Sequence, residues 1–451
     1  MWANRHGDVL NSDYLDCASG PHLDLQWRAL KNIPAATVAC YNASGHIFVS
    51  TLNAPTEDAG CLWCFNGDGQ VLWHSGTRVR ASLTSPAVTQ SGSVVVADGT
   101  HVFHWAANGE LLWQVPFAHE TSGVMIAPQG QIVVLGIDGV LAVFDAAQGA
   151  QLHTLQLDSV PMAQGVWHAH MRGRAAEGMR ARLQQRGVDA SYVDTAIRRF
   201  LGIGVAAKNV PALHPHSGRI FIAAAGQTPD AGILCGIDVA TMGRAFKVAM
   251  GPGCDTSPAL SFDLTQVFCA DQGGRITSHA TGDGRVLWQT PLPGTSSASP
   301  NPTPDGRLYI SIKSDVVCLS ATGEILWTSE LKKQTGADVQ INSVLCVNQQ
   351  FIYCVAAVGQ ASAAQWFAAS AHVLLTLDRL TGQIASHTAV PHESVCTLSM
   401  WPDGSLLVPS KPFLYEAQGD EFFGLAKYRV SAETFLQSGL SQLTAAVQCA
   451  R

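Results

Sequence analysis

Short apolar runs alternate with polar, glycine-containing turns along almost the whole chain. Typical runs are SVVVAD, QVFCAD and RLYISI, with Gly, Asp, Ser or Pro close to each end. Runs of this length are typical of β-strands joined by tight turns, whereas a helix that packs on a core needs an apolar stripe over several turns. The pattern therefore predicts an all-β fold.

A fixed spacing between glycine and tryptophan recurs along the chain. The segments FNGDGQVLW, WAANGELLW, HATGDGRVLW and LSATGEILW each place a glycine four residues before a tryptophan. The four pairs are Gly69/Trp73, Gly109/Trp113, Gly284/Trp288 and Gly323/Trp327, and degraded copies occur at 144–155, 237–248 and 377–388. The first two pairs lie 40 residues apart and the last two lie 39 apart. A period of this size indicates a repeat architecture.

Each repeat contains four predicted strands. A run of small residues, such as SPAVTQ or SPALSF, leads into the first strand, and the glycine turn separates the third strand from the fourth. Glycine adopts positive φ without strain, and tryptophan offers a large flat face to a neighbouring unit. Four short antiparallel strands repeated radially form a β-propeller blade.

Counting first strands predicts an eight-bladed propeller, with seven blades as the alternative. The first strands are expected near residues 35, 82, 121, 208, 254, 296, 340 and 393. The last unit holds only three strands, while residues 22–32 form an orphan strand with Trp27 in the tryptophan position. Pairing the two chain ends in one blade closes the ring and removes exposed sheet edges. We expect one propeller domain over 1–430, followed by an amphipathic helix over 431–451 that docks on the propeller or forms a dimer contact.

The repeat, roughly A-x-D-x-x-T-G-x-x-x-W, resembles the PQQ-like repeat of quinoprotein dehydrogenases and of the outer-membrane assembly propeller BamB. The resemblance covers about residues 22–430 apart from one insertion, and it implies the propeller fold. Quinoprotein dehydrogenases carry an adjacent Cys-Cys pair beside their cofactor, and this sequence contains no such pair. A bound quinone is therefore not expected.

Composition narrows the function classes. The formal net charge of −7 gives no basic footprint for nucleic acid. No apolar run is long enough to cross a bilayer, and the N-terminal residues lack the apolar core of a secretory signal. We expect a cytoplasmic protein, with an exported mature form as the alternative. Most of the twelve cysteines lie in apolar strand-like runs and are predicted to be small buried hydrophobes.

One insertion separates the third unit from the fourth. Residues 158–207 stand where the other units have a connection of about ten residues. Their pattern of apolar positions predicts an amphipathic helical hairpin. Residues 165–202 contain seven arginines and three acidic residues. The plain interpretation is a solvated helix face, and the alternative is an anion-binding surface, because the planar arginine fork suits carboxylate and phosphate.

The insertion joins the outermost strand of one blade to the innermost strand of the next. Such connections emerge on one rim around the channel mouth, so we expect a lid there. The lid begins with GVWHAHMRGR, in which His168 and His170 point to the same side if the stretch is extended. These two histidines are the candidate metal ligands.

The other connections on this rim supply the remaining candidates. Imidazole and carboxylate groups that converge on one cavity allow proton transfer or metal ligation. The candidate catalytic residues are His119, Glu120, His168, His170, Asp255, His392 and Glu393. The candidate anion-binding residues are Arg80, Arg172, Arg174, Lys208 and Asn209.

Two functions from different classes fit these observations. The first is a binding module that presents its lidded channel mouth to a protein, a peptide or a small anionic ligand, without a quinone. The alternative is a hydrolase, lyase or isomerase that uses the His/Asp/Glu cluster, with a divalent metal as the cofactor it would accept. A PQQ-dependent oxidoreductase ranks third. The sequence contains no P-loop, dinucleotide fingerprint or G-x-S-x-G motif.

Overall fold

The chain forms eight separate antiparallel sheets, the blades of a β-propeller. The computed structural model describes residues 1–54, 58–81, 84–127, 129–159, 205–228, 231–253, 256–296, 298–361, 367–394, 397–410 and 422–431, together with residues 177, 180, 181, 184 and 185. The observed innermost strands begin close to the predicted positions, so the prediction of eight blades is confirmed and the seven-bladed alternative is wrong.

The strands follow one another blade by blade. Strand β1 (Leu23–Ala29) precedes the first blade. Blade 1 contains β2 (Cys40–Tyr41), β3 (Ile47–Ser50), β4 (Leu62–Phe65) and β5 (Val71–His74). Blade 2 contains β6 (Ala87–Val88), β7 (Val94–Ala97), β8 (His101–Trp105) and β9 (Leu111–Pro116). Blade 3 contains β10 (Thr121–Ile126), β11 (Gln131–Gly136), β12 (Val140–Asp145) and β13 (Gln151–Gln156). Blade 4 contains β14 (Ala212–His214), β15 (Arg219–Ala225), β16 (Gly232–Asp238) and β17 (Gly243–Met250).

The second half repeats this order. Blade 5 contains β18 (Ala259–Leu260), β19 (Gln266–Ala270), β20 (Arg275–Ala280) and β21 (Val286–Pro291). Blade 6 contains β22 (Asn301–Pro302), β23 (Leu308–Ser311), β24 (Val316–Leu319) and β25 (Ile325–Thr328). Blade 7 contains β26 (Asp338–Ile341), β27 (Cys346–Val347), β28 (Phe351–Ala361), β29 (Phe367–Asp378) and β30 (Ile384–Ala389). Blade 8 contains β31 (Ser399–Met400), β32 (Leu406–Pro409) and β33 (Leu425–Val430).

Strand β1 completes blade 8 and closes the ring. It pairs antiparallel with β33, from Leu23 opposite Val430 to Ala29 opposite Leu425. The sheet order β31-β32-β33-β1 makes β1 the outermost strand of that blade. The predicted closure by the two ends of the chain is confirmed.

Helix is scarce in the described part of the chain. It comprises α1 (Leu331–Thr335), a 3₁₀ turn at Gly76–Arg78 and the helical residues 177, 180, 181, 184 and 185. The predicted hairpin in 158–207 is not confirmed, because nearly all of 160–204 lies outside the described residues, as does 432–451. None of the described helices is long and apolar enough to span a membrane.

Apolar side chains of adjacent blades pack into clusters between the sheets. One cluster joins blades 3 and 4 through residues such as Val133, Leu135, Ile220 and Ile222. Eight of the nine described cysteines are buried, which confirms for these positions the prediction of small hydrophobes. The apolar interior thus lies largely between the blades.

Candidate functional site

The connections between blades emerge on one rim, named here the connection rim, and the opposite face is named the turn rim. The connections are residues 30–39, 75–86, 117–120, 157–211, 251–258, 292–300, 329–337 and 390–398. All candidate residues fall on them, so the predicted strand register holds. His168, His170, Arg172, Arg174 and Asp255 lie outside the described residues, and their roles stay predictions.

His119 forms a pair with an aspartate that the sequence did not identify. Its Nδ1 lies 2.7 Å from Oδ2 of Asp138, which belongs to the turn between β11 and β12 on the same rim. The side chains are 36% and 45% exposed. Because a carboxylate only accepts, the imidazole carries its proton on Nδ1 and leaves Nε2 as an acceptor. The pair is an oriented base that a ligand at the rim can reach.

The second His–Glu pair has a different setting. His392 and Glu393 are 1% and 0% exposed. The ring of His392 stacks on His372 at 5.8 Å between centroids, and its Nδ1 accepts the backbone N–H of Glu393 at 2.9 Å. This pair is therefore embedded where blades 7 and 8 meet, whereas His119 is partly exposed.

The anion-binding candidates also differ from one another. Arg80 is exposed, and its backbone N–H donates to Oδ2 of Asp98 at 3.1 Å. Asn209 is fully buried and its amide donates to the carbonyl of Ala223 at 2.5 Å. Asn209 thus fastens the end of the long connection to blade 4. Over the described ranges, no group of three or more His, Cys, Asp or Glu side chains is placed to hold a metal ion.

Residues 1–17, named here the axial segment, occupy the propeller axis near the turn rim. Four inner-strand N–H groups donate to its carbonyls at 2.7 to 2.9 Å: Val88 to Ala3, Leu213 to Val9, Leu260 to Leu10 and Val347 to Asp13. Trp2 bridges to Tyr41, Asp13 meets Asn301, and Cys17 Sγ lies 3.3 Å from Met400 Sδ. Because one segment contacts the innermost strands of seven blades, it lies on the axis.

A turn held by Asp8 shapes the axial segment. Its Oδ1 accepts the N–H groups of Leu10 and Ser12 at 2.9 and 3.1 Å, and its Oδ2 accepts the hydroxyl of Ser12 at 2.7 Å. Asn11 and Asp13 have φ of 59° and 49°, a left-handed conformation that Asn and Asp tolerate. The turn brings residues 6 and 13 side by side.

A serine, a histidine and an aspartate are joined by hydrogen bonds on the axis. His6 Nδ1 lies 2.7 Å from Asp13 Oδ2, and His6 Nε2 lies 2.8 Å from Ser257 Oγ. Asn301 Nδ2 donates to the same Asp13 oxygen at 2.9 Å, and the N–H of Val210 donates to Ser257 Oγ at 3.1 Å. His6, Asp13 and Ser257 are at most 1% exposed.

Burial raises the pKa of two of the three carboxyl groups in the axial segment, those of Asp8 and Asp13. It raises the pKa of Asp8 to about 6, although hydrogen bonds from Ser12 oppose the change. It also raises the pKa of Asp13, against the opposing charges of His6 and Arg5 and the hydrogen bonds from His6 and Asn301. Desolvation disfavours the charged form of a carboxyl, which explains both directions.

Two sequence patterns signal this cluster weakly. The stretch RHGDVLNSD precedes the first strand and is dense in polar side chains. The small residues that open the innermost strands, such as Ser257, signal a narrow axis. Neither pattern identifies its partner, because the partners come from distant blades.

The resemblance to quinoproteins implies a quinone and a divalent metal at the axis. Near the turn rim that space holds the axial segment, with His6, Asn11 and Asp13 fully buried there. Asn11 also donates to the carbonyls of Val210 and Pro258 at 3.0 and 2.9 Å. The described residues therefore do not fit a quinone at this level of the axis.

Comparison with known proteins gives a family and a fold. The family model described as "Outer membrane protein assembly factor BamB" matches residues 59–197 and 205–396. The Mycobacterium tuberculosis protein named Rv3035 is 23% identical over 314 residues, which are 68% of this chain and 69% of that protein.

Two crystal structures share the architecture. BamB from Moraxella catarrhalis has a TM-score of 0.59 at 15% identity, covering 90% of this chain and 100% of that one. Quinohemoprotein alcohol dehydrogenase from Comamonas testosteroni has a TM-score of 0.60 at 10% identity, covering 97% and 81%. At these identities the likeness shows the propeller fold alone.

Proposed function

This chain belongs to the family described as outer membrane protein assembly factor BamB, and on that premise we propose that it is a binding scaffold without a quinone. Its connection rim presents the binding surface, and a protein or peptide is the first choice of partner, ahead of a small anionic ligand. The cytoplasm, predicted from the sequence, remains the proposed compartment, and fractionation of source cells that carry the tagged full chain tests it.

The occupied axis is the observation that carries the proposal. The axial segment takes space near the turn rim, where the inner strands of most blades converge. A cofactor of quinone size competes with fully buried residues there, including His6 and Asp13. Binding of a protein or peptide partner is then left to the outer surfaces of the propeller.

The connection rim has the chemistry of a binding surface. The His119–Asp138 pair is partly exposed there, and Lys332 next to Asp338 adds a second charged pair, with Nζ 2.6 Å from Oδ1. Loops held by a rigid scaffold are common binding sites. These pairs are far apart in sequence, so a partner that contacts both recognises the folded rim.

Site-specific photo-crosslinking in source cells tests the scaffold function. A photoreactive residue is placed at 119 or 332 on the connection rim, and at 68 or 263 on the turn rim as matched controls. We expect one protein to be crosslinked from the connection rim and not from the turn rim. Equal adducts from both rims, or none from 119 and 332, contradict the proposal.

A second measurement tests the absence of a quinone. The purified protein is incubated with pyrroloquinoline quinone and calcium, and the quinone retained after gel filtration is measured by absorbance. We expect none to be retained. One quinone per chain contradicts this part of the proposal while leaving the crosslinking result intact.

A further inference from the structure

We propose that Ser257, His6 and Asp13 form a serine-nucleophile site on the propeller axis that takes small, uncharged acyl esters. The site differs from the rim residues considered for binding. The inference does not rest on the scaffold function, since it concerns groups buried on the axis.

The two hydrogen bonds have the distances and the order that nucleophilic catalysis requires. Ser257 Oγ lies 2.8 Å from His6 Nε2, and His6 Nδ1 lies 2.7 Å from Asp13 Oδ2. Because the carboxylate of Asp13 is an acceptor, it holds the imidazole proton on Nδ1. Nε2 then accepts the hydroxyl proton of Ser257, which is the role of a general base.

Two further residues support the arrangement. Asn301 is fully buried, and its amide donates to the Asp13 oxygen that bonds His6, so it is a positioning residue. The N–H of Val210 points at Ser257 Oγ from 3.1 Å. This hydrogen bond to the serine oxygen orients the hydroxyl, so Val210 is a positioning residue as well.

Equivalent serines in other blades have plainer partners. Ser85 stands two residues before β6, as Ser257 stands two residues before β18, and it bonds the hydroxyl of Thr37 at 2.5 Å. Ser299, two residues before β22, accepts the N–H of Ser257 at 3.0 Å. A hydroxyl that only fastens neighbouring blades needs no imidazole, and the imidazole is what distinguishes Ser257.

Burial sets the class of substrate. The three side chains are at most 1% exposed, and the axial segment closes the axis near the turn rim. A substrate must therefore approach from the connection rim and carry a small acyl group. A charged acyl group is disfavoured, because desolvating an unpaired charge is costly.

The reaction follows from these roles. Ser257 Oγ forms a bond to the ester carbonyl carbon while its proton passes to His6 Nε2. The bond from that carbon to the alkoxy oxygen breaks, and the alcohol leaves with the proton. Water then attacks the acyl-serine with His6 as base, which releases the carboxylic acid and restores the Ser257 hydroxyl.

Labelling of the folded full-length protein tests the proposal. The probe is diisopropyl fluorophosphate, a small uncharged reagent for activated serines, and the labelled residue is located by peptide mass spectrometry. We expect one label per chain on Ser257. The same preparation should release a burst of nitrophenol from p-nitrophenyl acetate.

Three variants separate catalysis from structural support. Ser257→Ala should abolish the label, and Asp13→Asn should slow it at least about 100-fold by removing the carboxylate that fixes the tautomer. Ser85→Ala, the matched control, should label at the wild-type rate. No label on Ser257 in the folded wild type, or equal rates in wild type and a folded Asp13→Asn, overturns the proposal. Since the first readout is wild type, a variant that fails to fold does not remove the test.

Discussion

The indole of Trp73 packs directly on Gly109 of the next blade. A Cβ added at Gly109 would lie 2.7 Å from Trp73 Cγ, and Trp73 Nε1 donates to the carbonyl of Ala107 at 2.9 Å. Trp113 meets Gly149 in the same way, so the contact recurs around the ring. The spacing of glycine and tryptophan within one repeat therefore encodes contacts between successive repeats.

Gly109→Ala should destabilise the protein by about 2–4 kcal/mol. The new methyl group collides with the indole, and φ of 90° is strained for alanine. Gly218→Ala is the matched control, because Gly218 has φ of 69° and no atom within 4 Å of an added Cβ. It should cost only about 1 kcal/mol, from backbone strain alone. Urea unfolding of both variants measures the difference in unfolding free energy. If both variants lose the same amount, the Trp73 indole must move aside to accommodate the new methyl group.

His6→Ala should cost about 3 kcal/mol of unfolding free energy. The change leaves the buried Asp13 carboxyl without its imidazole partner and Ser257 without its acceptor. Asp16→Asn, at an exposed position of the same segment, should change stability by less than about 1 kcal/mol. Chemical denaturation measures both, and a His6 variant as stable as wild type would mean that the axial segment contributes little to folding.

Asp8 should make stability fall as the pH rises from about 4 to about 6. Its pKa is raised from 3.8 to about 6 in the folded chain, which therefore binds more protons than the unfolded chain in this interval. The contribution is fully present below the lower pKa and is lost above the upper one, by up to about 3 kcal/mol.

Asp8→Asn removes this dependence. Urea midpoints of wild type and variant at pH 4, 5, 6 and 7 give the comparison. The wild type should lose stability relative to the variant across the interval. Because the pKa of Asp13 is raised as well, Asp13 gives a slope of the same sign that both proteins share. Parallel curves would contradict a raised pKa at Asp8.

Asp138→Ala should weaken partner binding without unfolding the rim. The carboxylate orients His119 at 2.7 Å, yet both side chains are partly exposed, so their pairing contributes at most about 1 kcal/mol to stability. We expect an unchanged melting temperature together with a weaker crosslink from position 332. Asp283→Ala, whose exposed side chain pairs with Arg285 on a different turn, is the control.

The propeller and its closure could be predicted because both are written in local patterns. Trp27 occupies the tryptophan position of the repeat, which predicts that its strand is the missing fourth strand of the last blade. That strand is β1, and it pairs with β33. The same patterns predicted which loops share a rim. Successive strands of a blade run in opposite directions, so successive loops emerge on alternate rims. Nothing beyond the repeat was needed for either prediction.

The partners of the functional groups could not be predicted. Asp138 meets His119 only because a turn of blade 3 reaches the same rim as the connection between blades 2 and 3, and the sequence did not single it out. His6 and Ser257 are 251 residues apart. Their contact depends on how blade 5 sits around the axis, which no short motif records. The cluster near His168 remains a prediction.

The axial segment also constrains the order in which the chain assembles. Residues 1–29 are synthesised before their partners at Val347, Met400 and β33. During translation they have no final place to bind, and the ring is sealed by joining strands about 400 residues apart. Each new blade can pack on its predecessor as it emerges, but the axis and blade 8 wait for β33. Residues 1–29 are thus made before the blades that they complete, and they are built into the fold after them.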